Sequence, residues 1–377
     1  GGTGMPFSSE GVTPGIGLAV SGGGFRATLF HLGSFWRLNQ MGYLPKLDRI
    51  SSISGGSITA GFLAAKWIGL QFDGGGTAGN FEPLIAAPLR AFCSKNIDAI
   101  AIGEGALLPG KSVSDMVESA YRGNLFGDTS LQELPNRPLF VINATNFATG
   151  VSFRFSKPYA GDYRIGLIGN PGFRVSLAVT ASSAFPPVLS PVLVKVDPAS
   201  FQQTEGADLY GQVAYRQQLV LTDGGVYDNL GLETVWNRSE TVLVSDAGAP
   251  FAFEATPDTS WFQQAMRAAA VATSQSRALR KRALIADFES GQRKGTYWGI
   301  RTPIERYGLT NTLPCPAGRT AELAGMRTRL NSFNEREQCQ LINWGYAVCD
   351  AAMRRWMQAP NQPAAQWPYP DYALDRP

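Results

Sequence analysis

The chain has 377 residues, 44% hydrophobic and 17% charged, with a net charge of +3 at pH 7. This balance predicts a sizeable buried core and argues against a bulk nucleic-acid binder. No apolar run reaches the roughly 18–20 residues that span a bilayer. No signal peptide and no internal repeat are visible. Cys93, Cys315, Cys339 and Cys349 are widely spaced. With no CxxC or Cys/His cluster, they point to free thiols packed as small apolar residues rather than to zinc.

Residues 1–14 read as a flexible leader or expression scar. Ile16–Val20 is a short apolar run that stops at SGGG, as a buried strand entering a glycine loop does. From Arg26 to Met41 the apolar residues recur at helical spacing, and Gly42 suits the C-terminal cap. Arg49–Ser54 reads as a second strand and Ser57–Leu70 as a second helix. Strand–helix–strand–helix is the signature of a parallel α/β sheet. QFDGGGTAGN (71–80) reads as a mobile loop, and 82–122 as mostly helical.

PLFVINATN (138–146), VSFRFS (151–156), QLVLT (218–222) and TVLVSD (241–246) read as strands. Arg174–Ala184 reads as a helix stopped by Pro186 and Pro187. Residues 260–289 and 320–357 read as long helices around a strand-like TYWGI. The tail from Ala359 is Pro-rich. The organisation expected is one α/β domain over 15–357, with its core in 15–250 and a helical C-terminal layer in 258–357. An irregular tail follows over 358–377.

Three short motifs carry chemistry. SISGGS (52–57) sets Ser57 past a strand and two glycines, at the first turn of a helix. Glycine permits the tight bend of a nucleophile elbow, G-x-S-x-G, although Thr59 replaces the final glycine here. SGGGFRA (21–27) lies between a strand and a helix N-terminus, where free backbone N–H groups can receive an oxyanion. It could also cradle a phosphate, but neither GxGxxG nor GxxxxGK[ST] is met. LTDGG (221–225) ends a buried strand in Asp223, and Asp246 has a similar setting. The single histidine, His31, precedes both Ser57 and these acids and sits mid-helix. It reads as structural, which leaves a carboxylate as the base for a serine nucleophile.

Taken in order, SGGGFRA, SISGGS and DGG resemble the patatin-like phospholipases, a family of Ser-Asp lipid acyl hydrolases. INATNFATG (142–150), VTASSAFPPVLSPV (179–192) and, less specifically, LINWGYAVCDAAMRRW (341–356) agree. The resemblance covers roughly Ile16–Gly225. It implies a three-layer α/β fold with a parallel core flanked by helices. It implies Ser57 as nucleophile, Asp223 as base, and Gly22, Gly23 and Gly24 as the oxyanion loop. Arg26, just after that loop, would hold it or meet a lipid phosphate. No metal or cofactor is implied.

The function expected is hydrolysis of a phospholipid, lysophospholipid or other ester through an acyl-serine. The alternatives are a non-catalytic lipid- or partner-binding module on this scaffold and a phosphate- or nucleotide-binding α/β protein. A covalent serine probe separates the first from the second, and a thermal-shift screen with nucleotides tests the third. The basic run RALRKR (277–282) could meet anionic headgroups or be a solvated helix face. Phe72 and Phe81 could be interfacial anchors or core residues. Bacterial cytoplasm and secretion both remain open.

Overall fold

The computed structural model describes residues 12–185, 191–248 and 255–377. The expected leader lies outside these as far as residue 11. Thr13 and Pro14 already belong to the first strand. Pro186 and Pro187, expected to stop a helix, lie outside the described residues.

The short β-branched runs pair into one sheet. β1 (Thr13–Val20) lies parallel between β2 (Leu47–Ile53) and β10 (Ser239–Asp246). β3 (Leu139–Asn146) continues in parallel beyond β2, and β11 (Lys294–Gly299) beyond β10. β4 (Val151–Phe155), β5 (Tyr159–Asp162), β6 (Gly166–Gly169) and β8 (Phe201–Gln202) extend the far side of β3 in antiparallel fashion. β9 (Gln218–Asp223) pairs antiparallel with β3 and with β7 (Val192–Lys195).

Side chains alternate across the parallel strands, as the pleat requires. Leu18, Val20 and Leu243 enter one core. Ala19, Val242 and Val244 enter a second on the opposite face, with Leu232, Val235 and Leu284. The sheet therefore has helices on both faces, giving the three-layer α/β arrangement that the alternating elements predict.

The C-terminal part is not a layer laid over a finished core. TYWGI becomes β11, an edge strand of the same sheet. The expected helix over 320–357 divides into Ala317–Ala324 and Glu335–Trp356. The helix Glu335–Trp356 packs on α1 (Gly24–Gln40), while the helix Trp261–Glu289 crosses the other face. The α1 contact explains why that helix is buried nearly all round, beneath a neighbour on one side and against the sheet on the other.

Two glycines set how closely α1 and Glu335–Trp356 approach. A Cβ on Gly33 would stand 1.9 Å from the Ile342 carbonyl oxygen, and one on Gly345 would stand 1.9 Å from that of Phe30. A buried ion pair between Arg37 and Asp350, at 2.9 Å, fixes the same crossing. Gly345→Ala should destabilise the protein by about 1–3 kcal/mol or more through overpacking. A fall in the urea midpoint with an unchanged slope checks this, and an unchanged midpoint contradicts the packing.

Candidate active site

The site is built where three chain segments end. β2 pairs with β3 as far as Ile53 opposite Asn143. β9 pairs with β3 from Leu221 opposite Asn146 to Asp223 opposite Ala144. The other edge of β3 is taken by β4 over Ile142–Asn146. β2 and β9 therefore occupy one edge of β3 in succession and run toward each other. Their C-terminal ends meet at neighbouring residues of β3, which brings Ser54 to Asp223.

The tight turn after β2 falls on Ser54, not on the glycines. Ser54 has φ 51° and ψ −123°, and α2 (Gly55–Lys66) starts at the next residue. A non-glycine residue at such angles is uncommon, costs about 1–3 kcal/mol, and clusters at functional sites. Gly22 leaves room for it, since a Cβ there would lie 3.0 Å from Ser54 Cβ. Gly55 and Gly56 serve close packing inside the helix. A Cβ on Gly55 would sit 2.0 Å from the Gly24 carbonyl oxygen, and one on Gly56 would sit 2.5 Å from that of Ser21.

Ser57 lies two residues into α2 and its side chain is fully buried. Its hydroxyl is 2.9 Å from Ser52 Oγ and 2.8 Å from Ser182 Oγ, and Asp223 is not among its partners. The structure thus does not bring together the expected pair Ser57 and Asp223. Ser54 is the partly exposed serine at that position. SISGG (52–56) is itself an elbow pattern, with Ser52 in place of the first glycine. Ile53 as the last strand residue is the signal that would have located the turn.

Asp223 is buried and firmly held. Its amide donates to the Ala184 carbonyl, its carbonyl accepts from the Thr145 hydroxyl, and its Oδ1 accepts from the Gly225 amide at 2.7 Å. Oδ2 has no partner of full hydrogen-bond geometry. Burial pushes the carboxyl up to about 6, against the opposing influence of the Ser54 hydroxyl and the Gly225 N–H. Ser182 touches both sides of the pair. Its hydroxyl accepts the Ser54 amide and donates to the Asn143 carbonyl, while its own carbonyl accepts the Gly224 amide.

The glycine loop packs against the turn. Gly23 has φ 139° and Gly24 φ 57°, conformations that glycine adopts freely. The Gly22 amide is directed to the Asn229 carbonyl at 3.4 Å. Among the described residues, the amides of Gly23 and Gly24, at the start of α1, meet no acceptor. Arg26 does not face this space. It is 1% exposed, and its guanidinium donates to the carbonyls of Ala324, Met326 and Ala247 at 2.9, 3.0 and 2.5 Å. Arg26 thus ties the start of α1 to Ala247 and to the segment around residues 324–326, and a substrate contact is not among its partners.

His31 and Asp246 are also accounted for. His31 Nε2 donates to the Ser21 carbonyl at 2.8 Å, so Nδ1 accepts from the Ser245 hydroxyl at 2.8 Å. Burial lowers this imidazole to about 4, so it stays neutral and structural. Burial alone would raise Asp246, but Arg277 and Tyr297 overcome it and hold the carboxyl below its ordinary value. Arg277 donates to Oδ2 at 2.6 Å and Tyr297 at 2.5 Å, leaving no free base there. Phe81 is buried beside Trp36, and the half-buried Phe72 packs on Trp67. All four cysteines are buried and free. No helix among the described residues is long and apolar enough to cross a membrane.

A mixed sheet with a parallel core lies between helices, with a serine turn at the carboxyl edge of that core, and this defines an α/β protein. A family model described as patatin-like phospholipase matches residues 18–236, more than half of the chain, and the chain belongs to that family.

Human GIVD cytosolic phospholipase A2 in complex with methyl gamma-linolenyl fluorophosphonate is similar in structure at a TM-score of 0.53. The two share 14% identity over 92% of this chain and 59% of that one. The same human enzyme in a second structure gives 0.48 at 13% identity, over 92% and 62%. VipD from Legionella pneumophila gives 0.39 at 14%, over 92% and 67%. The likeness in the first of these is one of fold, and the chain spans less than two thirds of the human enzyme. No curated protein sequence matches.

The two buried titrating groups act oppositely on stability. Asp223 is raised from its ordinary 3.8, so its contribution is fully present below 3.8 and lost as pH rises through about 6. His31 is lowered from 6.5, so native stability falls as pH drops from 6.5 toward about 4. Asp223→Asn should therefore leave the protein more stable than wild type above pH 6, by about 1–3 kcal/mol. The advantage should vanish near pH 3.8. A Tm series over this range tests it, and a difference independent of pH contradicts the raised carboxyl.

Proposed function

We propose that this protein hydrolyses lipid esters through an acyl-Ser54 intermediate, with Asp223 as general base. The observation that carries the reading is the strained turn at Ser54, set head-on against a buried carboxylate with one free oxygen. Asp223 Oδ2 accepts the Ser54 proton as Oγ attacks the ester carbonyl carbon. The Gly23 and Gly24 amides and the α1 N-terminus receive the oxyanion. Collapse breaks the acyl–oxygen bond, and Asp223 returns the proton to the leaving alcohol. Water then attacks the acyl-serine as Asp223 takes its proton, the acyl–Ser54 Oγ bond breaks to release the carboxylic acid, and Asp223 returns the proton to Oγ.

Hydrogen bonds at such sites are often loose before substrate arrives, which accommodates the imperfect alignment of Ser54 on Oδ2. Ser57 and Ser182 act beneath the elbow, as positioning residues. The family and the fluorophosphonate complex of the human neighbour support a lipid substrate here.

Ser54→Ala should abolish hydrolysis of a soluble p-nitrophenyl ester, while Ser57→Ala should stay within about tenfold of wild type. The reverse pattern restores Ser57, and two active variants would point to a non-catalytic binding module. kcat/KM should rise with pH through an apparent pKa near 6 and lose that limb in Asp223→Asn. Ser182→Ala should lower kcat by about 10–100-fold with little change in KM, because it loosens the turn rather than substrate contacts. An unchanged kcat removes Ser182 from the account.

A further inference from the structure

The basic run 277–282 is neither a solvated face nor free for a membrane along its whole length. Arg277 pairs with Asp246 and Arg280 with Asp228. Lys281 instead lies over the Tyr297 ring, at 5.0 Å, on the wall of a cavity of about 220 Å³ beside the edge strand β11. Arg301 and Arg306 line the same cavity, together with Phe288, Tyr307 and Trp356. Neither arginine makes a side-chain hydrogen bond or ion pair among the described residues. The carboxylate on the lining is Glu289, exposed like the two arginines, while Lys281 is half-buried.

Three cations outnumber the carboxylates near them, Glu289 on the lining and the already paired Asp246 behind it, and an anion relieves their mutual repulsion. Lys281 carries the mark of this crowding. Burial depresses it, Asp246 opposes this, and Arg277, Arg306 and Arg301 depress it further, so that it lies below its ordinary value. A second observation points the same way. Thr296, also on the lining, is 1% exposed, and its hydroxyl has no hydrogen-bond partner.

The volume suits a small anionic group rather than a whole lipid, below the range of ordinary ligand pockets. Arginine forks match phosphate oxygens, and a dianion balances more of the charge than a carboxylate does. Trp356, 44% exposed at the rim, offers an apolar shoulder for whatever carries the phosphate.

We propose that this cavity binds a phosphate monoester, borne by a membrane lipid or by a soluble metabolite. It is separate from the hydrolytic site and does not depend on which serine is the nucleophile. One of its walls, Tyr297, bonds to Asp246, next to Ala247, whose carbonyl holds Arg26 and whose amide is held by Ser21. The site therefore stands in contact with the residues that frame the glycine loop.

The test uses the full chain at low salt. Calorimetric titration with glycerol 3-phosphate forms one arm. Co-sedimentation with phosphatidylcholine vesicles, with and without phosphatidic acid, forms the other. Binding in either arm should weaken by about tenfold or more in Arg301→Ala/Arg306→Ala, and measurably in the near-isosteric Thr296→Val. It should persist in Lys95→Ala/Lys111→Ala, which removes equal charge from exposed positions elsewhere. Binding confined to the vesicle arm identifies a lipid source, and binding of the soluble ester identifies a metabolite. Absence of binding in both arms, or equal loss in the two double variants, overturns the site.

Discussion

Everything at the candidate site depends on one arrangement of strands: β2 and β9 approach each other along a single edge of β3. A parallel strand alone would carry an acid to the sheet's carboxyl edge beside its neighbour. Here an antiparallel strand arrives from the opposite direction and stops one β3 residue short of β2. Two chain ends that are distant in sequence are thus fixed by the hydrogen-bond ladder of a third strand. No flexible loop has to position Asp223, whose backbone is bonded on both sides.

That junction is tight, and the tightness explains the glycines around it. Ser54 occupies a backbone conformation that costs energy, and the surroundings must hold it there. Gly22 makes room for its Cβ, Gly55 and Gly56 let α2 pass against the first glycine loop, and Gly24 lies under the Thr328 carbonyl. A Cβ at Gly24 would stand 1.7 Å from that oxygen. The connection between Ala317–Ala324 and Glu335–Trp356 therefore closes over the start of α1. Arg26 binds it there through the carbonyls of Ala324 and Met326. The C-terminal residues are part of the frame of the site.

Much of this was legible in the sequence. The apolar runs, their glycine stops and the strand–helix alternation predict the parallel core, and SGGG and DGG mark where β1 and β9 end. The burial of Asp223 was readable, because it ends an apolar strand-like run before two glycines. The position of the turn was not legible, because a bend was assumed to need glycine. In the chain the bend is made by a serine, and the glycines answer to packing partners at residues 20–24 that local sequence does not reveal. Arg26 was ambiguous for a similar reason. Its acceptors are about 220 to 300 residues away. The antiparallel entry of β9 was equally invisible, since pairing direction is decided by the whole sheet.

The central claim is that the turn residue, and not the helical serine three positions later, carries the reacting hydroxyl. Ser54 and Ser57 fall on the same tryptic peptide, ISSISGGSITAGFLAAK, so total mass cannot separate them. Fragmentation across Gly55 and Gly56 can. After treatment with a fluorophosphonate, the adduct mass should appear on fragments that contain Ser54 and be absent from those that begin at Gly55. An adduct that stays with the C-terminal fragments, on Ser57, would contradict the account.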